Sequence, residues 1–179
     1  MRTLRTVCLV ALVAVLVVAT AAAKHPSAGS RSVPCSETID QVRFPYIGNR
    51  EARYRFRTFV GAISVAPAFM RAYENDDPRW PYWTKYGVVV RAGGARVTLS
   101  VPPAWRDRVG IAWGNAGHGV LASVTLASCA GPTSVGHAYA GGFFIRRSGE
   151  CFPLTLRAGS RVATAWFGLG KRCPATPPP

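Results

Sequence analysis

Alternation of apolar and polar residues dominates this chain from about residue 53 onward. Tyr54, Phe56 and Thr58 alternate with Arg53, Arg55 and Arg57, the period of a strand with one covered face and one face of arginines. Val97, Leu99 and Val101 alternate with Arg96, Thr98 and Ser100, and Phe152, Leu154 and Leu156 with Pro153, Thr155 and Arg157. Val162, Thr164 and Trp166 alternate with Arg161, Ala163 and Ala165. Residues 86–91 form a continuous valine-rich run instead, as expected of a central strand covered on both faces. Further strand-like runs lie at 63–65, 109–113, 120–126 and from Tyr139 to Arg147. Glycines punctuate the runs in Ala92-Gly93-Gly94, in Gly114-Asn115-Ala116-Gly117 and in Arg157-Ala158-Gly159-Ser160, the last with the glycine that a tight hairpin needs. Helical periodicity is nearly absent, and residues 68–73 allow one helical turn. The pattern predicts an all-β fold: a single antiparallel β-sandwich, or a partly open barrel, of about 8–9 short strands.

Two local features refine this. Pro153 removes a ladder donor, so its strand is expected at a sheet edge or to begin at the proline. Ile63-Ser64-Val65-Ala66-Pro67-Ala68-Phe69 resembles Leu99-Ser100-Val101-Pro102-Pro103-Ala104-Trp105. Each reads as a strand stopped by proline, followed by an aromatic tucked back onto the core.

The ends of the chain differ from its middle. Arg2 and Arg5 precede an apolar run over residues 7–18, and Ala21-Ala22-Ala23 follows. This is the pattern of a secretory signal peptide over residues 1–23, cleaved after Ala23. Residues 24–34 are small, polar and basic without periodicity and predict a disordered lead-in. Residues 35–173 form the β-sandwich domain, and the proline-rich 174–179 a solvated tail. No later apolar run is long enough to span a membrane, so the mature chain is expected outside the cytoplasm, secreted or at the cell envelope.

Beyond the leader stand Cys35, Cys129, Cys151 and Cys173. An even number in an exported chain predicts two disulfides. A zinc site needs close pairs, and the nearest cysteines here are 22 residues apart. Cys151 and Cys173 flank the last hairpin, which favours Cys151–Cys173 and therefore Cys35–Cys129.

The formal net charge is +14, and all but Lys24, Lys85 and Lys171 of the 22 basic residues are arginine. Such a surplus favours anionic polymers, while the arginine bias is also what a GC-rich genome produces. No nucleic-acid-binding motif accompanies it. Catalytic constellations are thin. Nucleophilic catalysis needs a serine or cysteine beside a histidine held by a carboxylate. The histidines His25, His118 and His137 fall in the lead-in, a glycine turn and a strand start, and Gly-x-Ser-x-Gly is absent. Asp107 has Arg106 and Arg108 beside it as partners. Glu74-Asn75-Asp76-Asp77 offers oxygen ligands of the kind calcium takes, without the spacing of a dedicated loop. No catalytic residue, metal or cofactor is therefore assigned. The stretch Trp80-Pro81-Tyr82-Trp83 is the most suggestive. Trp80, Tyr82 and Trp83 around a rigid proline could make a flat platform for sugar rings, or could cap the end of the sandwich. The arginines Arg53, Arg55 and Arg57 are the second candidate, with planar forks that match phosphate and carboxylate.

The segments Trp80-Pro81-Tyr82-Trp83, Ser100-Val101-Pro102-Pro103-Ala104-Trp105-Arg106, Ala140-Gly141-Gly142-Phe143 and Phe167-Gly168-Leu169-Gly170-Lys171-Arg172-Cys173 resemble those of uncharacterised small secreted proteins of high-GC actinobacteria. The resemblance implies an exported β-rich domain with paired cysteines and brings no functional residues with it. The sequence thus points to a non-catalytic module that binds an anionic envelope polymer or glycan. An enzyme of unrecognised type and a protein-interaction or inhibitor domain are the alternatives.

Overall fold

The computed structural model describes residues 29–48, 56–65, 69–114 and 119–173. Its strands are β1 (Ser30–Val33), β2 (Asp40–Arg43), β3 (Arg57–Phe59), β4 (Ile63–Val65), β5 (Phe69–Met70), β6 (Tyr73–Glu74), β7 (Tyr82–Arg91), β8 (Val97–Ser100), β9 (Val109–Trp113), β10 (Ser123–Leu126), β11 (Val135–Ile145), β12 (Glu150–Ala158) and β13 (Arg161–Leu169). They form two sheets. The first runs β1-β10-β8-β12-β13-β5, and the second runs β2-β11-β7-β4-β3, with β6 on β7 and β9 on β11. The fold is a β-sandwich, and the partly open barrel is not what forms. More strands appear than the alternation predicts, because several pairings involve only two to four residues and carry too few positions to show a period.

Packing follows the alternation where the strands are long. On β12, Phe152, Leu154 and Leu156 are buried. On β13 the period holds but the facing is reversed: Ala165, Phe167 and Leu169 are buried, while Val162 and Thr164 of the set with Trp166 are open. The valine run of β7 lies centrally, with β11 along one side and β4 and β6 along the other, and Val88, Val89 and Val90 are all buried. Pro153 sits within β12, and β8 pairs only with Thr155–Ala158. The proline therefore falls where β12 still has one unpaired side, a position at which a missing donor is tolerated.

Aromatic rings join the sheets. Phe143 of β11 meets Tyr86 of β7 at 4.9 Å, Trp113 of β9 at 5.4 Å, Phe152 of β12 at 5.3 Å and Phe167 of β13 at 5.0 Å between centroids. Two of these four partners belong to the second sheet and two to the first, so one ring spans the interface. Gly141 on the same face of β11 makes room for the cluster: a Cβ there would stand 2.4 Å from the Trp113 ring.

Three expectations need correction. Ser30–Val33, placed in the disordered lead-in, is a strand paired in parallel with β10. Val33 is fully buried, and Arg31 donates to the carbonyl of Trp113 and pairs with Glu37, contacts invisible in a short polar segment. Residues 69–73 make no helical turn. Phe69 and Met70 extend the first sheet beside Gly168 and Leu169, also in parallel, because Met70 gains core contact there. The sandwich is accordingly antiparallel except at the two edges of its first sheet. In β3 the facing is also reversed. Phe56 packs on Tyr46 (4.6 Å between centroids) and Thr58 bonds Ser64 on the outer side, while Phe59 packs against the core. Alternation defines two faces of a strand and leaves open which one is inward. Residues 1–23 and 174–179 lie outside the described residues, and among the described residues no helix is long and apolar enough to cross a membrane.

Both disulfides form as the cysteine spacing predicts. Cys35 joins Cys129 and Cys151 joins Cys173, with Cα separations of 5.6 and 5.5 Å. The first fastens the end of β1 to the end of its partner β10. Beside it the Tyr139 hydroxyl donates to the carbonyl of Ala127 at 2.8 Å, and burial pushes its pKa up to about 12. The two bridges close loops of 94 and 22 residues, worth about 4.7 and about 3.4 kcal/mol in chain entropy. Thermal denaturation of the paired Cys→Ala variants should therefore rank loss of Cys35–Cys129 as the larger; the opposite order would show that the Cys151–Cys173 bridge holds more than the hairpin it closes.

Candidate functional site

Five cationic side chains, those of Arg79, Arg108, Arg146, Arg147 and Lys171, gather at one end of the sandwich. There β7 begins opposite the end of β11, and β12 begins opposite the end of β13. The turn 146–149 carries the chain from the second sheet to the first, and it brings Arg146 and Arg147 to the rim. After β8, Pro102 and Pro103 stop the strand and start a short 3-10 turn over Pro103–Trp105, as the strand-proline-aromatic pattern predicts. Its counterpart at 66–68 lies outside the described residues. Arg108 follows this turn, and its carbonyl accepts from the Arg146 N–H at 3.1 Å, fastening the two turns together. The Arg108 guanidinium lies on the Trp105 ring, 3.9 Å from its centroid, and Trp166 meets the same indole edge-on at 6.3 Å.

The end of β13 completes the rim. Gly149 N–H donates to the carbonyl of Leu169 at 2.8 Å. Gly170 has φ +77°, and a Cβ on it would stand 2.7 Å from Ser148 Oγ and 2.9 Å from the Gly149 nitrogen. Only glycine meets both demands. The Cys151–Cys173 bridge then holds Lys171 beside the turn.

Two open recesses result. One, of about 460 Å3, is lined by Trp105, Arg108, Arg147, Glu150 and Lys171 together with Ser148, Gly149 and Cys151. The other, of about 380 Å3, is lined by Pro78, Arg79, Pro81, Arg146 and Arg147. Arg147 belongs to both. Glu150 is the carboxylate among these linings. Its Oε2 is buried and has no hydrogen-bond partner among the described residues, and the same holds for Arg146 Nε. Burial pushes the Glu150 pKa up; Arg108, Arg147 and Lys171 pull against that, and Asp107 adds to it.

The residues singled out from the sequence are dispersed. Trp80 is buried and lies against Gly110, its ring 3.4 Å from where a Cβ would stand. Tyr82 packs against the core at the start of β7. Trp83 points to the other side of that strand and meets Tyr73 at 6.2 Å. The three share no flat platform, and Trp80 caps the sandwich end. Arg53 and Arg55 lie outside the described residues. Arg57 is exposed, donates to the carbonyl of Trp166 at 3.3 Å and is not among the residues lining either recess. His25 and His118 also lie outside the described residues. His137 is buried opposite Val90 near the start of β11, roughly 30 Å of strand from the turn at 146. In residues 74–77, the Asp77 carboxylate accepts from the Arg79 N–H at 2.8 Å, and Asn75 donates to the carbonyl of Trp80. That stretch closes a turn and positions Arg79. The sequence did not single out Arg79, Trp105, Arg108, Arg146, Arg147, Glu150 or Lys171 as site residues. The basic doublet in Arg146-Arg147-Ser148-Gly149-Glu150, a turn between two strands, was the available signal.

No family model and no curated protein matches the chain. Among solved structures, the crystal structure of the S-layer protein SbsC domains 4 and 5 is similar at a TM-score of 0.35 and 10% identity, over 67% of this chain and 55% of that one. The chain spans about half of that structure, and a likeness at this level carries no argument about function.

The raised Glu150 pKa gives a sign for stability. The folded state holds the proton more tightly than the unfolded chain, so Glu150 contributes stability below its ordinary value of 4.5 that is lost as pH rises through the raised value. Glu150→Gln should therefore be more stable than the parent at pH 7, with the difference shrinking toward pH 4. Urea melts at the two pH values check this, and a variant less stable at pH 7 would contradict it.

Proposed function

We propose that this chain is an extracytoplasmic, non-catalytic binding domain for an anionic polymer, and that the cationic end of the sandwich does the binding. The observation that carries the proposal is the convergence of Arg79, Arg108, Arg146, Arg147 and Lys171, from four separate segments, on two adjoining recesses with one carboxylate among their linings. Like charges held side by side repel, and an anionic ligand relieves that repulsion. Arginine adds a planar donor fork that fits carboxylate, sulfate and phosphate oxygens. Two recesses sharing Arg147 suit successive anionic groups along one chain rather than a single small ion. Two disulfides support a location outside the cytoplasm, as does the leader-like stretch of residues 1–23. The buried His137, remote from the recesses, offers no general base to them.

The test separates position from total charge. Arg147→Ser combined with Lys171→Ser should weaken binding to a heparin column or an anionic wall polymer by about tenfold at low salt and flatten its salt dependence. Arg57→Ser combined with Arg161→Ser removes the same charge from exposed positions elsewhere and should change binding little. Equal losses from both pairs would make the binding a property of net charge and overturn the proposal.

A further inference from the structure

We infer that Glu150 makes anion binding at the cationic end depend on pH. Ionised, it offsets part of the charge of Arg108, Arg147 and Lys171. Protonated, it leaves those cations unopposed, and the site holds its anion more tightly in a mildly acidic medium. The inference rests on the cationic end being the binding site and concerns the regulation of that site. Glu150 opens β12, directly after the turn that carries Arg147. Arg108 reaches the same recess from just ahead of β9, and Lys171 from just past the end of β13. Three cations from three segments thus share one recess with one carboxyl group. Asp107, beside Arg108, is exposed and does not line that recess.

The arrangement leaves this carboxyl group free to titrate. Among the described residues no cation forms an ion pair with it, and its Oε2 is buried without a hydrogen-bond partner. A carboxyl group that is partly buried and unpaired holds its proton more tightly than one in water. Burial is the largest influence on Glu150 and raises its pKa; Arg108, Arg147 and Lys171 oppose this, and Asp107 adds to it. Titration therefore falls above the ordinary value of 4.5. The effect on a ligand needs no contact with Glu150. Charges lining a recess of about 460 Å3 act on its occupant through space, within reach of a screening length of about 10 Å. The linkage is reciprocal: an anion in the recess raises the proton affinity of Glu150 as much as the proton raises the affinity for the anion. Binding near the titration therefore takes up protons. His137, buried near the start of β11, lines neither recess.

Dextran sulfate is the probe, because its sulfate esters stay ionised across the range. At pH 7, Glu150→Gln should bind it about two- to fivefold more tightly than the parent, the removal of one repelling charge. That advantage should vanish at pH 4, where both proteins carry an uncharged group at this position. Every other titrating group is common to the two proteins, so the ratio of affinities isolates Glu150. Asp107→Asn removes a carboxylate outside the recess and should give a smaller advantage at pH 7. Equal affinities of parent and Glu150→Gln at pH 7, or an advantage that persists unchanged at pH 4, would overturn the inference while leaving the cationic site standing. If the glutamine variant fails to fold, calorimetry of the parent at pH 5, in two buffers of different protonation enthalpy, reads the proton directly. Proton uptake on binding supports the inference, and its absence overturns it. A parent protein that binds no dextran sulfate at low salt overturns both this inference and the proposed function.

Discussion

The contact of Phe143 with four other rings, from strands of both sheets, is the constraint on which the rest of the sandwich depends. A sheet with one apolar face has to cover it, and here the covering is concentrated in a few large rings. A fully buried aromatic of this kind is worth about 1.5–3 kcal/mol by area alone, and each ring pair adds about 0.5–1.5 kcal/mol. The strand that carries Phe143 also carries Tyr139, Gly141 and Ile145 on the same face. It therefore sets the spacing of the two sheets along most of its length.

That spacing places the cationic end. Directly after Ile145 the chain leaves the second sheet, turns through 146–149 and enters the first as β12, where Phe152 returns to the Phe143 cluster. Arg146 and Arg147 are thus held between two anchored strands and cannot drift apart without unpacking the rings. Three further ties close the rim: the Arg146 N–H to the Arg108 carbonyl, the Gly149 N–H to the Leu169 carbonyl, and the bridge from Cys151 to Cys173. Rigid placement is what makes a cluster of like charges useful for binding, since the cost of bringing them together is met on folding rather than on association.

The fold was legible in the sequence wherever a strand ran long enough to show its period, as β7, β12 and β13 do, and where cysteines and glycines marked ends and turns. The two-residue pairings of β5 and β6, and the polar strand β1, were not legible, because what holds them is contact with distant strands. Site residues failed for a related reason. Trp80, Tyr82 and Trp83 are adjacent in sequence, but strand alternation sends Tyr82 and Trp83 to opposite faces, and burial takes Trp80. Trp105 and Glu150 are 45 positions apart and meet only because β8 and β12 pair and both chains turn at the same end. No local pattern carries that information.

The central claim, that binding belongs to the end of the sandwich carrying Arg108, Arg146, Arg147 and Lys171, is tested most directly by mapping amide chemical shifts as an anionic polysaccharide is titrated into isotope-labelled protein. The account predicts that the shifts concentrate at residues 105–108, 146–151 and 168–171, with Arg79 beside them. Shifts concentrated on β3 around Arg57, or on the outer face of β7 around Trp83, with the 146–151 turn unmoved, would contradict it.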